Sequence, residues 1–208
     1  METQKIENIE LKFLAVDDYE ELKNATLEAY DGVLNSYWKK HHIEKLTSIF
    51  PEGQVVIKID GNIAGCALSL IVDYDNIDDN HTYADIIAGE SFKNHNPAGD
   101  VLYGIDVFIK PEYRGLRLGR RLYDYRKEVC ENLNLKGIIF GGRMPNYHKN
   151  NTLSPKDYIE KVKRKEIHDP VLNFQISNDF HPVRILKGYL EGDTASNEYA
   201  VLMEWDNI

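Results

Sequence analysis

Apolar and polar residues alternate along several short stretches of this chain, which is the pattern of β-strands with one buried face. One pair of such stretches encloses Asp60-Gly61-Asn62, and Asp-Gly between two alternating runs is a strong signal for a β-hairpin. Seven strands are predicted in all, at residues 9–16, 54–59, 63–72, 101–109, 136–140, 183–189 and 199–205.

Other segments repeat apolar residues at helical spacing. Helices are predicted at residues 19–30, 37–49, 119–133, 155–165 and 170–178. The polar residues 73–100 predict a long loop that contains one short helix near residues 85–92. This order of elements favours an α/β fold of the α+β-like kind, with a mixed, mostly antiparallel central sheet of about six to seven strands flanked by helices. A chain of 208 residues is expected to form a single domain, since domains average about 150 residues.

Charge and composition exclude several classes of protein. A formal net charge of -9 argues against non-specific binding of nucleic acid. No apolar run reaches the roughly 18 residues of a membrane span, and no basic-then-apolar leader opens the chain, so a cytoplasmic protein without membrane contact is expected. Cys66 and Cys130 lie in apolar surroundings without metal-ligand spacing, which predicts buried thiols and no metal site.

The distribution of arginine singles out one segment. The first 113 residues contain no arginine, whereas five of the eight arginines lie between residues 114 and 126. The run Arg114-Gly-Leu-Arg-Leu-Gly-Arg-Arg121 falls between a predicted strand and a predicted helix. Glycine lets a backbone approach a ligand closely, and the first N–H groups of a helix have no partner, so phosphate is the ligand that suits this junction best. The run is neither a P-loop nor a Gly-x-Gly-x-x-Gly motif.

Residues 111–119, Pro-Glu-Tyr-Arg-Gly-Leu-Arg-Leu-Gly, resemble the pyrophosphate loop of the GNAT superfamily of acetyl-CoA-dependent N-acyltransferases. That motif is Gln/Arg-x-x-Gly-x-Gly/Ala, and it is commonly seen as Pro-Glu-Tyr-Arg-Gly-x-Gly-x-Gly. The resemblance extends over residues 11–205. Residues 100–147 also resemble a subgroup in which a GNAT-like domain precedes a carbon–nitrogen hydrolase on one chain. The present chain is either a stand-alone relative or the N-terminal portion of something longer.

The resemblance implies acetyl-CoA as co-substrate, with no metal. The residues that would bind it are Arg114, Gly115, Leu116, Arg117, Leu118, Gly119 and Arg120, together with Val107, Phe108 and Ile109 of the preceding strand, where a backbone N–H meets the thioester carbonyl. Arg117 stands where the family usually has its middle glycine. Its side chain either crowds the pyrophosphate, or replaces a backbone contact with a charged one, or points to solvent.

The resemblance further implies direct attack of an amine on the thioester, so the amine must first lose a proton to a base. Asp106 and Tyr103 are the candidates for that base; the alternative is a structural hydrogen bond for Asp106 and a core position for Tyr103. The tyrosine that meets the thiolate in the family is replaced here by Gln175, which cannot act as an acid. Either Tyr147 or His148 takes its place, or water suffices because the thiolate is a good leaving group.

The expected activity is N-acetyl transfer from acetyl-CoA to a primary amine, carried by a small molecule or a peptide. The alternative is a catalytically idle acyl-CoA-binding or sensing module that regulates a partner. The aspartates of residues 73–79 either rim a pocket for a cationic acceptor or form a solvated loop. Arg143 is expected to bind an acidic acceptor or a phosphate, or to pair with one of these aspartates. His41 and His42 are predicted to be solvated, and pairing of strand edges into a homodimer is a further expectation.

Overall fold

The computed structural model of the protein describes residues 6–30 and 37–208. Its seven strands are β1 (Ile9–Phe13), β2 (Gln54–Ile59), β3 (Asn62–Val72), β4 (Val101–Ile109), β5 (Gly137–Arg143), β6 (His181–Leu186) and β7 (Ala200–Asp206). The α-helices of the described residues are α1 (Tyr19–Ala29), α2 (Lys40–Ile49), α3 (Tyr83–Ile86), α4 (Leu118–Asn132), α5 (Pro155–Lys163) and α6 (Pro170–Ile176).

The strands form one open sheet in the order β1-β2-β3-β4-β5-β7-β6. Pairing is antiparallel between β1 and β2, β2 and β3, β5 and β7, and β6 and β7, whereas β4 and β5 run parallel. The parallel pairing is short, because it joins residues 101–103 of β4 only to residues 137–139 of β5. The predicted mixed, mostly antiparallel sheet with flanking helices is therefore confirmed.

Local chemistry explains where the elements begin and end. The β2–β3 hairpin turns at Asp60 and Gly61, whose φ angles of 48° and 85° are those that a two-residue hairpin turn requires. Ser154 accepts a hydrogen bond from the Asp157 amide and so caps α5. The helix predicted near residues 85–92 is instead the single turn α3, because Thr82 caps it earlier and the chain turns to positive φ at Ala88.

The chain divides into two compact units, the first made of the residues up to 70 with 104–129 and the second of 71–103 with 130–208. In the first unit the beginning of α4 is fixed by an apolar cluster, because Leu118 and Leu122 are spaced one helical turn apart and both are buried against it. The rest of the cluster comes from Val55, Ile57, Ile59, Ala64 and Ala67, with Val107 and Ile109 packed at its margin. This packing places the first turn of α4 beside the end of β4.

In the second unit β5, β6 and β7 support the two helices α5 and α6. Phe140 and Phe180 pack with ring centroids 4.7 Å apart. Asp169, fully buried, caps α6 by accepting hydrogen bonds from the amides of Val171 and Leu172, and it also accepts one from the Tyr158 hydroxyl at 2.6 Å. The buried carboxylate thus has the hydrogen-bond partners that burial demands.

Candidate functional site

The segment between β4 and α4 is an open loop lined by backbone amides. Within the described residues, none of the N–H groups of residues 115–120 donates a hydrogen bond to another part of the chain. The first amide with such a partner is that of Arg121, which donates to the Arg117 carbonyl at 3.3 Å. A row of unpartnered N–H groups at the beginning of a 15-residue helix is a region of positive potential, suited to an oxyanion.

The conformation of this loop depends on two residues with positive φ. Gly115 has φ +86°, and a Cβ placed on it would meet no atom within 4 Å, so the loop is open to solvent at this point. Arg117 has φ 59°, in the left-handed region that glycine enters freely and other residues enter at a cost of about 1–2 kcal/mol. The backbone of this chain therefore keeps the conformation of a glycine at the position where the family has one, although the residue is arginine.

The arginines of the loop have different surroundings. Arg114 donates from Nη2 to the Ala29 carbonyl at 3.2 Å and from Nε to the Ile109 carbonyl at 3.4 Å, so it ties the loop to the end of α1 and the end of β4. Arg117 is exposed and has no ion pair or hydrogen bond from its side chain within the described residues. Arg120 lies 4.0 Å from Asp124 with both side chains more than half exposed, a pair of little energetic value.

Asp106 lies on β4 just before the strand end and receives two side-chain hydrogen bonds. Tyr30 donates its hydroxyl to Oδ1 at 2.6 Å, and Trp38 donates Nε1–H to Oδ2 at 2.9 Å. Burial raises the pKa of the Asp106 carboxyl above its usual range, while these two donors and the Arg126 charge act in the opposite direction. The carboxyl is thus polar, oriented and a better proton acceptor than an exposed aspartate.

Arg126 of α4 reaches the same part of β4 from inside the first unit and is 3% exposed. Its Nη2 donates to the carbonyls of Leu68 at 2.7 Å and Asp106 at 2.5 Å, and its Nε donates to the Ser69 hydroxyl at 3.1 Å. The guanidinium fits because residue 104 is glycine: a Cβ there would stand 2.9 Å from Nη1.

Tyr103 belongs to the second unit and is fully buried. Its hydroxyl lies 2.8 Å from His81 Nε2 and 3.0 Å from the Tyr189 hydroxyl. His81 Nδ1 lies 2.9 Å from the Asp78 carbonyl, which can only accept, so Nδ1 carries the proton and Nε2 accepts from Tyr103. Burial raises the pKa of Tyr103 and lowers that of His81, so both groups are held in their neutral forms.

The candidates for the general acid, and the glutamine that replaces the family's tyrosine, lie in the second unit. Tyr147 donates its hydroxyl to the Leu153 carbonyl at 2.9 Å and packs on the ring of Tyr158, with centroids 5.1 Å apart. His148 Nδ1 lies 3.0 Å from each of two backbone carbonyls, those of Pro145 and Ala195. Gln175 is buried against Gly142, and within the described residues its Oε1 has no hydrogen-bond partner.

One prediction about an individual residue is wrong. His42 is buried, at 3% exposure, because it occupies the apolar face of α2 and its Nδ1 accepts a hydrogen bond from the Lys39 amide; only His41 is exposed. Arg143 pairs with Asp193, which lies outside the predicted aspartates of residues 73–79, through two hydrogen bonds of 2.7 and 2.5 Å. The burial predicted for both cysteines is confirmed.

The aspartate-rich segment borders a cavity in the second unit with a volume of about 180 Å³. The residues that line it are Tyr74, Asp75, Ile77, Asp78, Asp79, His81, Ile139, Arg184 and Leu202. Arg184 forms an ion pair with Asp79, which leaves Asp75 and Asp78 to set the charge of the cavity. Asp73 is directed elsewhere, since it accepts a hydrogen bond from Asn96 at 2.9 Å.

Sequence reasoning missed Arg126, His81, Tyr189, Tyr30 and Trp38. A signal existed for Arg126, because it lies one helical turn after the buried Leu122 and one turn before the buried Cys130, in the apolar stripe of α4. No local signal marks Tyr30 or Trp38, which are 76 and 68 residues from Asp106 in the chain. Within the described residues no group of His, Cys, Asp and Glu side chains is placed to hold a metal ion, and no helix is long and apolar enough to cross a membrane.

Comparison with known protein families identifies the family of this chain. Residues 19–151 match the model of the acetyltransferase (GNAT) family, which is more than half of the chain. The chain belongs to the GNAT acetyltransferase family. The loop before α4 contains residues 111–119, which resemble the pyrophosphate loop of this family.

Two proteins of Bacillus subtilis (strain 168) are similar in sequence. The probable hydrolase YhcX is 43% identical over 204 residues, which are 98% of this chain and 38% of YhcX. The chain therefore spans well under half the length of this relative. The uncharacterized N-acetyltransferase YkwB is 36% identical over 172 residues, which are 82% of this chain and 76% of YkwB.

Two solved structures share the fold. The loading GNATL domain of CurA from Lyngbya majuscula superposes with a TM-score of 0.81 at 21% identity, covering 96% of this chain and 98% of that domain. The GNAT-like decarboxylase GphF in complex with isobutyryl-CoA gives a TM-score of 0.80 at 17% identity, with 95% and 98% of the two chains covered. Both confirm the GNAT α/β fold.

Proposed function

We propose that this protein binds acetyl-CoA and transfers the acetyl group to a primary amine. The observation that carries the proposal is the row of unpartnered amides at residues 115–120, at the beginning of α4, which is joined to β4 by the loop of residues 110–117. These amides suit the diphosphate of CoA in number and charge, and the exposed Arg117 guanidinium suits a phosphate oxygen. The backbone at Val107 to Ile109 would meet the acyl and pantetheine end.

Acetyl-CoA, when bound, supplies an acetyl group activated as a thioester. The chain's own residues must accept the proton that the amine loses. At pH 7, deprotonating an ammonium with the ordinary pKa near 10.4 costs about 4.6 kcal/mol. We assign the role of proton acceptor to Asp106, because its two oxygens are held by Tyr30 and Trp38 and burial raises its pKa. A proton placed on Oδ1 could be donated to the Tyr30 hydroxyl, because that hydroxyl can turn its own proton to the Val107 carbonyl 3.3 Å away.

The roles of Tyr103 and Tyr147 are less direct in this proposal. The Tyr103 hydroxyl donates to a neutral His81 and accepts from Tyr189, so it would move a proton only along that buried chain. The Tyr147 hydroxyl is engaged with the Leu153 carbonyl and would have to exchange that partner to protonate a thiolate. Because Gln175 cannot act as an acid, we propose that the thiolate leaves without a dedicated acid.

A cationic acceptor is favoured by the cavity that Asp75, Asp78 and Asp79 border, since the single Arg184 there is already paired. The cavity has an apolar floor from Ile139 and Leu202, which fits an aliphatic amine. Cytoplasmic location and a soluble or peptide-borne amine belong to the same proposal.

Matched glycine variants test the cofactor assignment. Gly115→Val forces a β-branched residue into positive φ in the loop, yet meets no neighbouring atom. Gly188→Val imposes the same strain, at φ +65° and also without a neighbour, away from the loop. We expect calorimetry to show CoA binding lost in Gly115→Val and retained in Gly188→Val, with both proteins folded. Equal affinity in the two variants would refute the assignment.

Turnover separates the enzyme from the idle acyl-CoA-binding module, which remains the second candidate because Gln175 replaces the family's acid. Acetyl-CoA is offered with diamines, lysine and short peptides, and CoA release is followed. An acyl-CoA with a free β-carboxyl belongs in the panel, since one structural relative is a decarboxylase. Release that depends on the amine and is lost in Asp106→Asn supports acetyl transfer; tight binding without release for any amine supports the module.

A further inference from the structure

Arg126 carries a buried positive charge whose hydrogen-bond partners are all neutral. Its guanidinium donates to two backbone carbonyls on neighbouring strands, those of Leu68 and Asp106, and to the Ser69 hydroxyl. No carboxylate within the described residues lies within ion-pair distance of it. Burying an arginine without a paired carboxylate is costly, so its retention needs an explanation other than stability.

The peptide group between Asp106 and Val107 connects this guanidinium to the Asp106 carboxyl. A peptide unit is planar, so a hydrogen bond to its carbonyl oxygen fixes the plane in which it lies. The Asp106 side chain branches from the Cα bonded to this carbonyl carbon, and its two oxygens accept hydrogen bonds from Tyr30 and Trp38. Fixing the carbonyl therefore fixes the backbone from which the carboxyl projects toward these two donors.

Gly104 shows that this position of the guanidinium is built into the strand. A Cβ at residue 104 would stand 2.9 Å from Nη1 and 3.1 Å from Cζ of Arg126. Such distances are too short for contact, so alanine at 104 would push the guanidinium away from the Asp106 carbonyl. A glycine in the middle of a strand is otherwise unfavourable, and here it makes room for the charge.

We propose that Arg126 is a positioning residue: its guanidinium, hydrogen-bonded to the Asp106 carbonyl, orients the Asp106 carboxyl through the 106–107 peptide and favours the ionised form of that carboxyl. The proposal rests on the proposed function only in calling Asp106 the proton acceptor; the coupling itself belongs to the protein alone. Arg126 touches neither substrate nor reacting atoms.

The pKa measured for Asp106 depends on the groups that surround its carboxyl. Tyr30 and Trp38 donate to its two oxygens, Arg126 lies behind its peptide, and Cys66 of β3 lies within electrostatic reach. Burial raises the pKa of the Cys66 thiol well above its usual value, so Cys66 stays neutral while Asp106 titrates. Arg126 is then the charged group whose removal changes the field at Asp106.

The test is a direct titration of Asp106 by NMR in protein labelled with 13Cγ-aspartate, where the Asp106→Asn variant assigns its resonance. Arg126→Met should raise the titration midpoint by about one pH unit or more, because an opposite charge at this range lowers a carboxyl pKa by about 1–3 units. Arg126→Lys, which keeps the charge but cannot bridge both carbonyls, should shift it less. Arg164→Met removes an exposed arginine that directly follows α5 and should leave it unchanged.

Gly104→Ala gives an independent reading, since it displaces the guanidinium without removing it and should also raise the midpoint. A folded Arg126→Met protein with an unchanged midpoint overturns the proposal; if that variant does not fold, an unchanged midpoint in Gly104→Ala does so. The acid limb of kcat/KM should move with the NMR midpoint. A moved midpoint without any turnover would instead disprove acyl transfer while leaving the coupling intact.

Discussion

Arg117 lies in the loop of residues 110–117 between β4 and α4, called the anion loop below. It allows the backbone conformation and the charge of this loop to be tested separately. The residue combines the left-handed conformation of a glycine, φ 59°, with an exposed guanidinium that has no ion pair or hydrogen bond within the described residues. Arg117→Gly removes both the strain and the charge, whereas Arg117→Ala removes the charge and keeps the strain. The difference between the two variants therefore isolates the backbone, and the alanine variant isolates the guanidinium.

The expected change in stability follows from two opposing terms. Relief of the left-handed conformation contributes about 1–2 kcal/mol, and the greater freedom of glycine in the unfolded chain costs about 0.5–1 kcal/mol. The free energy of unfolding of Arg117→Gly should thus exceed that of Arg117→Ala by about 0.5–1 kcal/mol. Urea denaturation followed by circular dichroism measures this difference, which should appear as a higher midpoint with an unchanged slope.

Glycine at residue 117 should stabilise the fold, whereas the affinity for CoA should fall in both variants. A charge-assisted hydrogen bond is worth about 1.5–3 kcal/mol, which exposure and salt reduce to about 1–1.5 kcal/mol here. Both variants should therefore bind CoA roughly five- to tenfold more weakly at low salt, and the loss should shrink as salt is added. Calorimetry that shows unchanged affinity in both variants would place the guanidinium in solvent, and tighter binding would show that it crowds the diphosphate.

Two further predictions concern the second unit. Because burial lowers the pKa of His81, the unfolded chain binds a proton that the folded chain does not. The free energy of unfolding should therefore fall as pH drops below the ordinary pKa near 6.5, by at most about 1.4 kcal/mol per pH unit. Between pH 7.5 and 5.5 the urea midpoint should depend less on pH in His81→Gln than in the exposed control His168→Gln, and parallel curves would contradict this. Asp169→Asn should destabilise the protein by about 2–3 kcal/mol, because one buried carboxylate accepts hydrogen bonds from three amides and the Tyr158 hydroxyl. Thermal melting beside Asp157→Asn, an exposed aspartate in the first turn of α5, checks this, and equal losses would argue against it.

Local chemistry made much of the fold predictable. Asp60-Gly61 defined the hairpin, Pro155 after Ser154 defined the beginning of α5, and the apolar run 101–109 coincides with β4. Each of these signals acts within a few residues, where φ preferences, caps and alternation determine the outcome. The anion loop belongs to the same class, since its glycines and its helix lie next to one another in the chain.

The surroundings of Asp106 were not predictable in this way. Its partners Tyr30, Trp38 and Arg126 come from distant parts of the sequence, and nothing in their local spacing indicates a shared carboxyl. His42 was wrongly predicted to be solvated because histidine is compatible with either face of a helix. The pairing of Arg143 with Asp193 was not predicted, because charge alone does not choose between Asp193 and the aspartates of residues 73–79.

The claim that residues 115–120 hold the diphosphate of coenzyme A is tested most directly by amide NMR. CoA is added to 15N-labelled protein, and the chemical shift of every backbone amide is followed. The amides of residues 115–120, which have no partner within the described chain, should show the largest downfield shifts, since they gain charged hydrogen bonds. Unchanged shifts at these amides, with the perturbation located elsewhere or absent, would contradict the account.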